Sequence, residues 1–160
     1  MNTKKATKQM ILLLDNIRSS ENVGSLFRTA DAFGISEILL IGITPTPIDR
    51  FGRPNPKVAK TALGAEKTIT WQRVATAEEA VLCVRKQKIP LYVLEQDVKA
   101  IPLAKQKEKD FALVLGNEVS GVSDYFLQQA DVIFEIPMQG EKESLNVSVA
   151  GGIALYAFTA

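Results

Sequence analysis

The run MILLL, Met10–Leu14, contains no polar position. A strand with one wet face alternates apolar and polar residues, so an unbroken run implies burial on both faces. Ile38–Ile41, Leu91–Leu94, Phe111–Leu115 and Val132–Ile136 repeat the pattern. Between the first two, Val23, Leu26, Phe27, Ala30 and Phe33 recur at helical spacing. Asn22 has the chemistry of that helix's N-cap and Gly34 supplies its stop. Glu78–Lys88 reads as a helix, and Ser123 as the cap of a short one. Apolar strands alternating with helices predict an α/β fold, a mostly parallel sheet with helices on both faces. At 160 residues, with no internal repeat or linker, one domain over 1–160 is expected.

Two segments stand apart. Ile43–Pro56 is a long loop that holds four of the seven prolines, and loops of that length are commonly functional or disordered. Asn146–Phe158 reads as a final helix that is apolar almost all round, which argues burial on several sides. Gly151 and Gly152 inside it each cost about 0.8–1 kcal/mol relative to alanine. Close packing against another backbone, such as a second subunit, would offset that.

Composition removes several chemistries. The chain has no histidine, hence no His-based nucleophile activation and no histidine zinc ligand. Its one cysteine, Cys83, excludes an internal disulfide and a Cys-x-x-Cys site. No metal site is expected. The formal charge of +1 makes any nucleic-acid site a local matter. Residues 43–70 provide one candidate, with Arg50, Arg53, Lys57, Lys60 and Lys67 against Asp49 and Glu66, a local charge of +3. A basic tail over residues 1–8, with Lys4, Lys5 and Lys8, provides another. Either is a solvated surface or a phosphate-tracking patch. The apolar run after the tail is too short for a signal sequence or a membrane helix, so a cytoplasmic protein without membrane association is expected.

In open α/β sheets ligands sit beyond the carboxyl ends of the strands. The glycine fingerprints of Rossmann and P-loop sites are missing there. Three unusually polar stretches take their place. In NVGSLFRTADAFG, Arg28 falls nearly opposite the apolar stripe, with Gly24, Ser25 and Ala32 around it; it is a solvated arginine or a functional one. In LVLGNEVSG, Gly116 and Glu118 form a plain turn, or give close backbone approach to a ligand and an acceptor beside it. In IPMQGEKESLNVSVAGG, Ser144 and Asn146 cap the final helix or serve a site.

Together these stretches, with PKVAKTALGAEK at residues 56–67, resemble the SpoU/TrmH family of RNA 2′-O-ribose methyltransferases, in the SPOUT superfamily, in family order. The resemblance implies S-adenosylmethionine (AdoMet) as cofactor, bound in a C-terminal trefoil knot, and a homodimer formed through the final helix. It implies Arg28 as the catalytic arginine, supported by Asn22, Glu118, Ser144 and Asn146. Leu94, Glu95, Gly116, Ile136, Met138, Ser144 and Leu145 match positions lining the cofactor pocket. Arg50, Arg53, Lys57 and Lys60 are the RNA-binding candidates. Transfer RNA is the expected substrate and ribosomal RNA the alternative. A protein that kept the fold as an RNA-binding or assembly factor without activity is the competing reading.

Overall fold

Every residue of β1, Met10–Asp15, is buried, and the rest of the molecule is arranged around it. The computed structural model describes residues 7–160, so Lys4 and Lys5 of the basic tail lie outside the described residues. The chain continues through α1 (Ser20–Ala32), β2 (Glu37–Ile41), α2 (Pro56–Ala62), a 3₁₀ turn at Ala65–Lys67 and β3 (Thr70–Val74). It then forms α3 (Ala77–Lys86), β4 (Leu91–Leu94), β5 (Ile101–Pro102) and β6 (Phe111–Leu115). It ends with α4 (Asp124–Gln129), β7 (Val132–Glu135) and α5 (Val147–Thr159). The sheet order is β3-β2-β1-β6-β4-β7-β5, and each neighbouring pair of strands is parallel.

The unbroken apolar strands are explained by two cores. Leu12 and Leu14 pack on one face with Leu26 and Phe27 of α1, Val58 of α2, and Leu155 and Phe158 of α5. Ile11 and Leu13 pack on the other with Val81 and Val84 of α3 and Phe126 of α4. Burying a leucine or phenylalanine fully is worth roughly 1.5–3 kcal/mol, which accounts for a strand with no wet side. Buried Asp15, 1% exposed, ends β1 by accepting from Ser123 N and Ser123 Oγ, both at 2.7 Å.

Several expectations need correction. The sheet has seven strands, not five: β3 and β5 are additional. The long loop ends one residue early, because Pro56 opens α2 behind the Asn55 cap. Ser123 precedes α4 but spends its hydroxyl on Asp15 instead of capping. Ser19, not Asn22, caps α1, accepting from Asn22 N at 3.1 Å. Gly24, placed around Arg28 by the helical spacing, is buried against α2 instead. A Cβ there would stand 2.3 Å from Val58 O, so this glycine is what lets α1 and α2 touch. Gly151 is likewise explained within the chain, since its Cβ would press 2.7 Å from Leu26 and Leu115, while Gly152 is open apart from Thr29. The final helix is not buried all round: Val149, Ile153 and Tyr156 are exposed at spacings of four and three along one face.

Candidate active site

The loops after β1, β4, β6 and β7 leave the same edge of the sheet, because parallel strands present their carboxyl ends together. Between the loops after β4, β6 and β7 and the start of α5 lies a cleft of about 420 Å³. Leu94, Glu95, Gly116, Ile136, Met138, Ser144 and Leu145 all line it, as do Glu118 and Asn146. Ser144 and Asn146 are exposed, not tucked inside a buried helix.

The loop after β6 is shaped by its own backbone. Asn117 and Gly121 exchange two 3.0 Å hydrogen bonds, and Asn117 Oδ1 accepts from Val119 N and Ser120 N. Asn117 Nδ2 donates to Asn16 O at 2.7 Å, tying this loop to the one after β1. Gly116 is required by that turn: a Cβ would stand 2.4 Å from Gly121 C and Val122 N. Its close approach is to its own loop. Glu95 braces the same turn, accepting from Val122 N at 2.9 Å.

Glu118 connects the loop after β6 to the start of α1. Its carboxylate accepts from Arg18 N at 3.0 Å, Ser19 N at 3.1 Å and Asn22 Nδ2 at 3.2 Å. Partial burial pushes the Glu118 carboxyl up, but the amides of Arg18 and Ser19 and the Asn22 carboxamide outweigh it and hold the group below its ordinary value. Asn22 Oδ1 in turn accepts from Asn146 Nδ2 at 3.2 Å. Asn146 caps α5, its Oδ1 accepting from Ser148 N at 2.9 Å. Ser144 therefore does not cap the helix, and among the described residues its hydroxyl has no hydrogen-bond partner.

Arg28 lies elsewhere. It is exposed on α1 and lines a separate hollow with Ser25, Thr29, Phe33, Lys60 and Thr61, none of which reaches the cleft. Of the basic candidates, Arg50 and Arg53 sit on the loop between β2 and α2, and Lys57 and Lys60 on α2; all four are exposed. Arg53 is paired with Asp49 at 2.8 Å, which blunts the local positive charge.

Sequence reasoning overlooked Gln96, Asn117 and Glu135, which also line the cleft. Gln96 Nε2 donates to the Glu143 carbonyl across it. The cleft suits a ligand that carries both apolar and cationic parts. Leu94, Leu115, Ile136, Leu145 and Val147 contribute apolar side chains, Glu95, Glu118 and Glu135 bring carboxylates, and among the described residues no lysine or arginine lines it. Among the described residues no metal-binding group of acids and cysteine occurs, and no helix is long and apolar enough to cross a membrane.

The profile of the SpoU rRNA methylase family matches residues 9–156. The chain belongs to that family. A 23S rRNA (guanosine-2′-O-)-methyltransferase RlmB of Coxiella burnetii is 32% identical over 96% of this chain and 59% of its own length. Thus the SpoU chain spans little more than half of that relative. The crystal structure of an AdoMet-bound rRNA methyltransferase from Sinorhizobium meliloti superposes with a TM-score of 0.83 at 27% identity, covering 93% of this chain and 55% of the other. A structure described as giving insights into the 2-OH methylation of C/U34 on tRNA superposes with a TM-score of 0.74 at 26% identity, over 94% of this chain and 93% of that one. The knot implied by the SpoU resemblance concerns the loops after β4, β6 and β7, which wall the cleft.

Proposed function

We propose that this SpoU protein is an AdoMet-dependent RNA ribose 2′-O-methyltransferase that works as a homodimer. The observation that carries the reading is the cleft itself. Apolar side chains, three carboxylates, no cation among the described residues and the linked Glu118–Asn22–Asn146 side chains meet where the three family motifs converge. Bound there, AdoMet would supply a methyl group already activated on a cationic sulfonium.

The chain's own task is then positioning and proton management. Leu94, Gly116, Ile136, Met138 and Leu145 would hold the cofactor, with the carboxylates favouring its positive end. Ser144, with its hydroxyl uncommitted, would orient the ribose 2′-hydroxyl. Arg28 would stabilise the developing oxyanion; a guanidinium stays protonated and is a poor proton acceptor, so charge stabilisation is its easier role.

Because Arg28 lies outside its own subunit's cleft, the reading needs a second copy. The exposed face of α5 supports one. It starts beside the cleft at Leu145 and Val149 and runs through Ile153 to Tyr156, whose ring meets Phe33 edge-on at 6.3 Å. Phe33 lines the Arg28 hollow. In a two-fold dimer whose α5 helices run antiparallel along this face, the cleft end of one subunit would meet the arginine end of the other.

Ribosomal RNA is the substrate favoured by the rRNA methyltransferases among the relatives, and the tRNA-related structure keeps transfer RNA as the second reading. Calorimetry with AdoMet, followed by methyl transfer to 23S rRNA and to bulk tRNA with nucleotide mapping, tests both. Binding with 2′-O-methylation of rRNA is expected. Methylation of tRNA alone would reverse the substrate choice, and no AdoMet binding would remove the reading.

A further inference from the structure

Phe51 sits at the tip of the loop between β2 and α2 with 66% of its surface exposed. Single exposed apolar residues are common on proteins. This one is different because of its surroundings. The guanidinium carbons of Arg50 and Arg53 lie 4.8 Å and 5.0 Å from its ring centre, within cation–π range.

The tip is also held in place. Asp49 Oδ1 accepts from Phe51 N and Arg53 N, both at 2.9 Å, and Asp49 Oδ2 accepts from Arg53 Nε at 2.8 Å. Asp49 N donates to Arg53 O at 2.9 Å, and Gly52, with φ +76°, donates back to Asp49 O at 3.0 Å. Below the tip, Ile48 and Pro54 form a bridge, and Asn55 Nδ2 reaches Ser20 Oγ at 3.3 Å. The loop is thereby fixed to the start of α1, the helix that carries Asn22. A solvated apolar ring would gain nothing from this bracing. A ring that must meet a partner in one orientation gains preorganisation.

We propose that Phe51, with Arg50 and Arg53, is a stacking site for an unpaired nucleobase of the RNA substrate. The proposal rests on the RNA reading above and adds to it a preference for single-stranded target. Every base offers a π face, and planar guanidinium groups stack on bases as well as on phenylalanine. Lys57 and Lys60 are exposed on α2, and Lys60 lines the hollow that holds Arg28, so a strand stacked at Phe51 would have phosphate partners along α2. In a duplex both faces of a base are covered by its neighbours, which leaves loops, bulges and ends as the form that fits.

The test uses the full chain with a labelled single-stranded oligoribonucleotide and a blunt RNA duplex of equal length, across a salt series. Phe51→Ala should weaken single-strand binding by about 5- to 150-fold, the range for loss of one base–aromatic stack. Its salt slope should match wild type, since no phosphate contact is lost. Phe51→Trp should retain the affinity, and its indole emission should be quenched when the single strand is added. Duplex binding and AdoMet affinity should be unchanged. Equal affinity of Phe51→Ala and wild type for the single strand overturns the site, and so do equal losses on both RNAs. A changed sedimentation coefficient for Phe51→Ala would instead make the ring a protein contact, and also overturns it. In each case AdoMet binding and methyl transfer by the wild type leave the functional reading standing; their absence would bring down that reading first.

Discussion

Replacing Glu118 by glutamine isolates the side chain that joins the loop after β6 to α1. The change is nearly isosteric, but one carboxylate oxygen becomes an NH₂ group. Both oxygens now accept from N–H donors: Arg18 N on Oε2, Ser19 N and Asn22 Nδ2 on Oε1. Whichever way the amide turns, a donor faces a donor. Hydrogen bonds to a charged group contribute about 1.5–3 kcal/mol where water is excluded, and Glu118 is exposed, so the three together are worth about 1–2 kcal/mol after screening. For a chain of this size that is a fall in Tm of about 2–8 °C at pH 7. The pH dependence has a definite sign. Glu118 titrates below its ordinary value of 4.5 in the folded protein, so its stabilisation is complete above 4.5 and lost as pH falls through the lowered folded value. The gap between wild type and Glu118→Gln should therefore close on acidification. Asp49 and Asp131 are also held low, but they are common to both proteins and cancel in the difference. Paired thermal melts across this range are the assay. An unchanged Tm at pH 7, or a gap that persists undiminished well below pH 4.5, would refute the argument.

Other outcomes follow from named contacts. Gly24→Ala should lower stability by about 1–3 kcal/mol even though alanine favours helix by about 1 kcal/mol, because the new methyl meets the α2 backbone at Val58 O; chemical denaturation measures it. Arg28→Ala should keep AdoMet affinity and reduce single-turnover methyl transfer at least about 100-fold. Asn146→Ala should be inactive for a different reason, in the cleft. Mixing the two inactive proteins should restore part of the activity if Arg28 works across the dimer, and a mixture as dead as its components would refute the shared site.

How far the sequence revealed the fold depended on which strands are buried on both faces. β1, β2, β4, β6 and β7 carry such runs and were found within a residue or two. β3 reads TWQRV and buries only Val74, because it is an edge strand with a wet surface. β5 is two exposed residues, Ile101 and Pro102, with no periodicity to detect. The helix α2 was missed although its signal was present: Asn55 is a good cap, and Pro56 follows it at the first helical position. Asn22 was misread as a cap because Ser19, three residues earlier, offers the same chemistry and wins.

The polar residues of the site were recognisable as types, but their roles depend on partners far away in the chain. With Ser19 capping α1, the Asn22 carboxamide is free to receive Asn146 and to donate to Glu118. Asn146 is then held at both ends, donating one N–H to Asn22 and accepting from Ser148 N on its oxygen. The two asparagines, which the resemblance gives as supports for Arg28, are hydrogen-bonded to each other. Rigid positioning is what this arrangement provides, and it leaves Ser144 as the uncommitted hydroxyl at the cleft. Arg28 shows the complementary limit. Its helical position correctly placed it on the exposed side of α1, yet no periodicity within one chain can say which cleft an exposed arginine serves. The proposed sharing of Arg28 between subunits rests on the α5 face, where the exposed apolar residues run from the subunit's own cleft toward its own arginine.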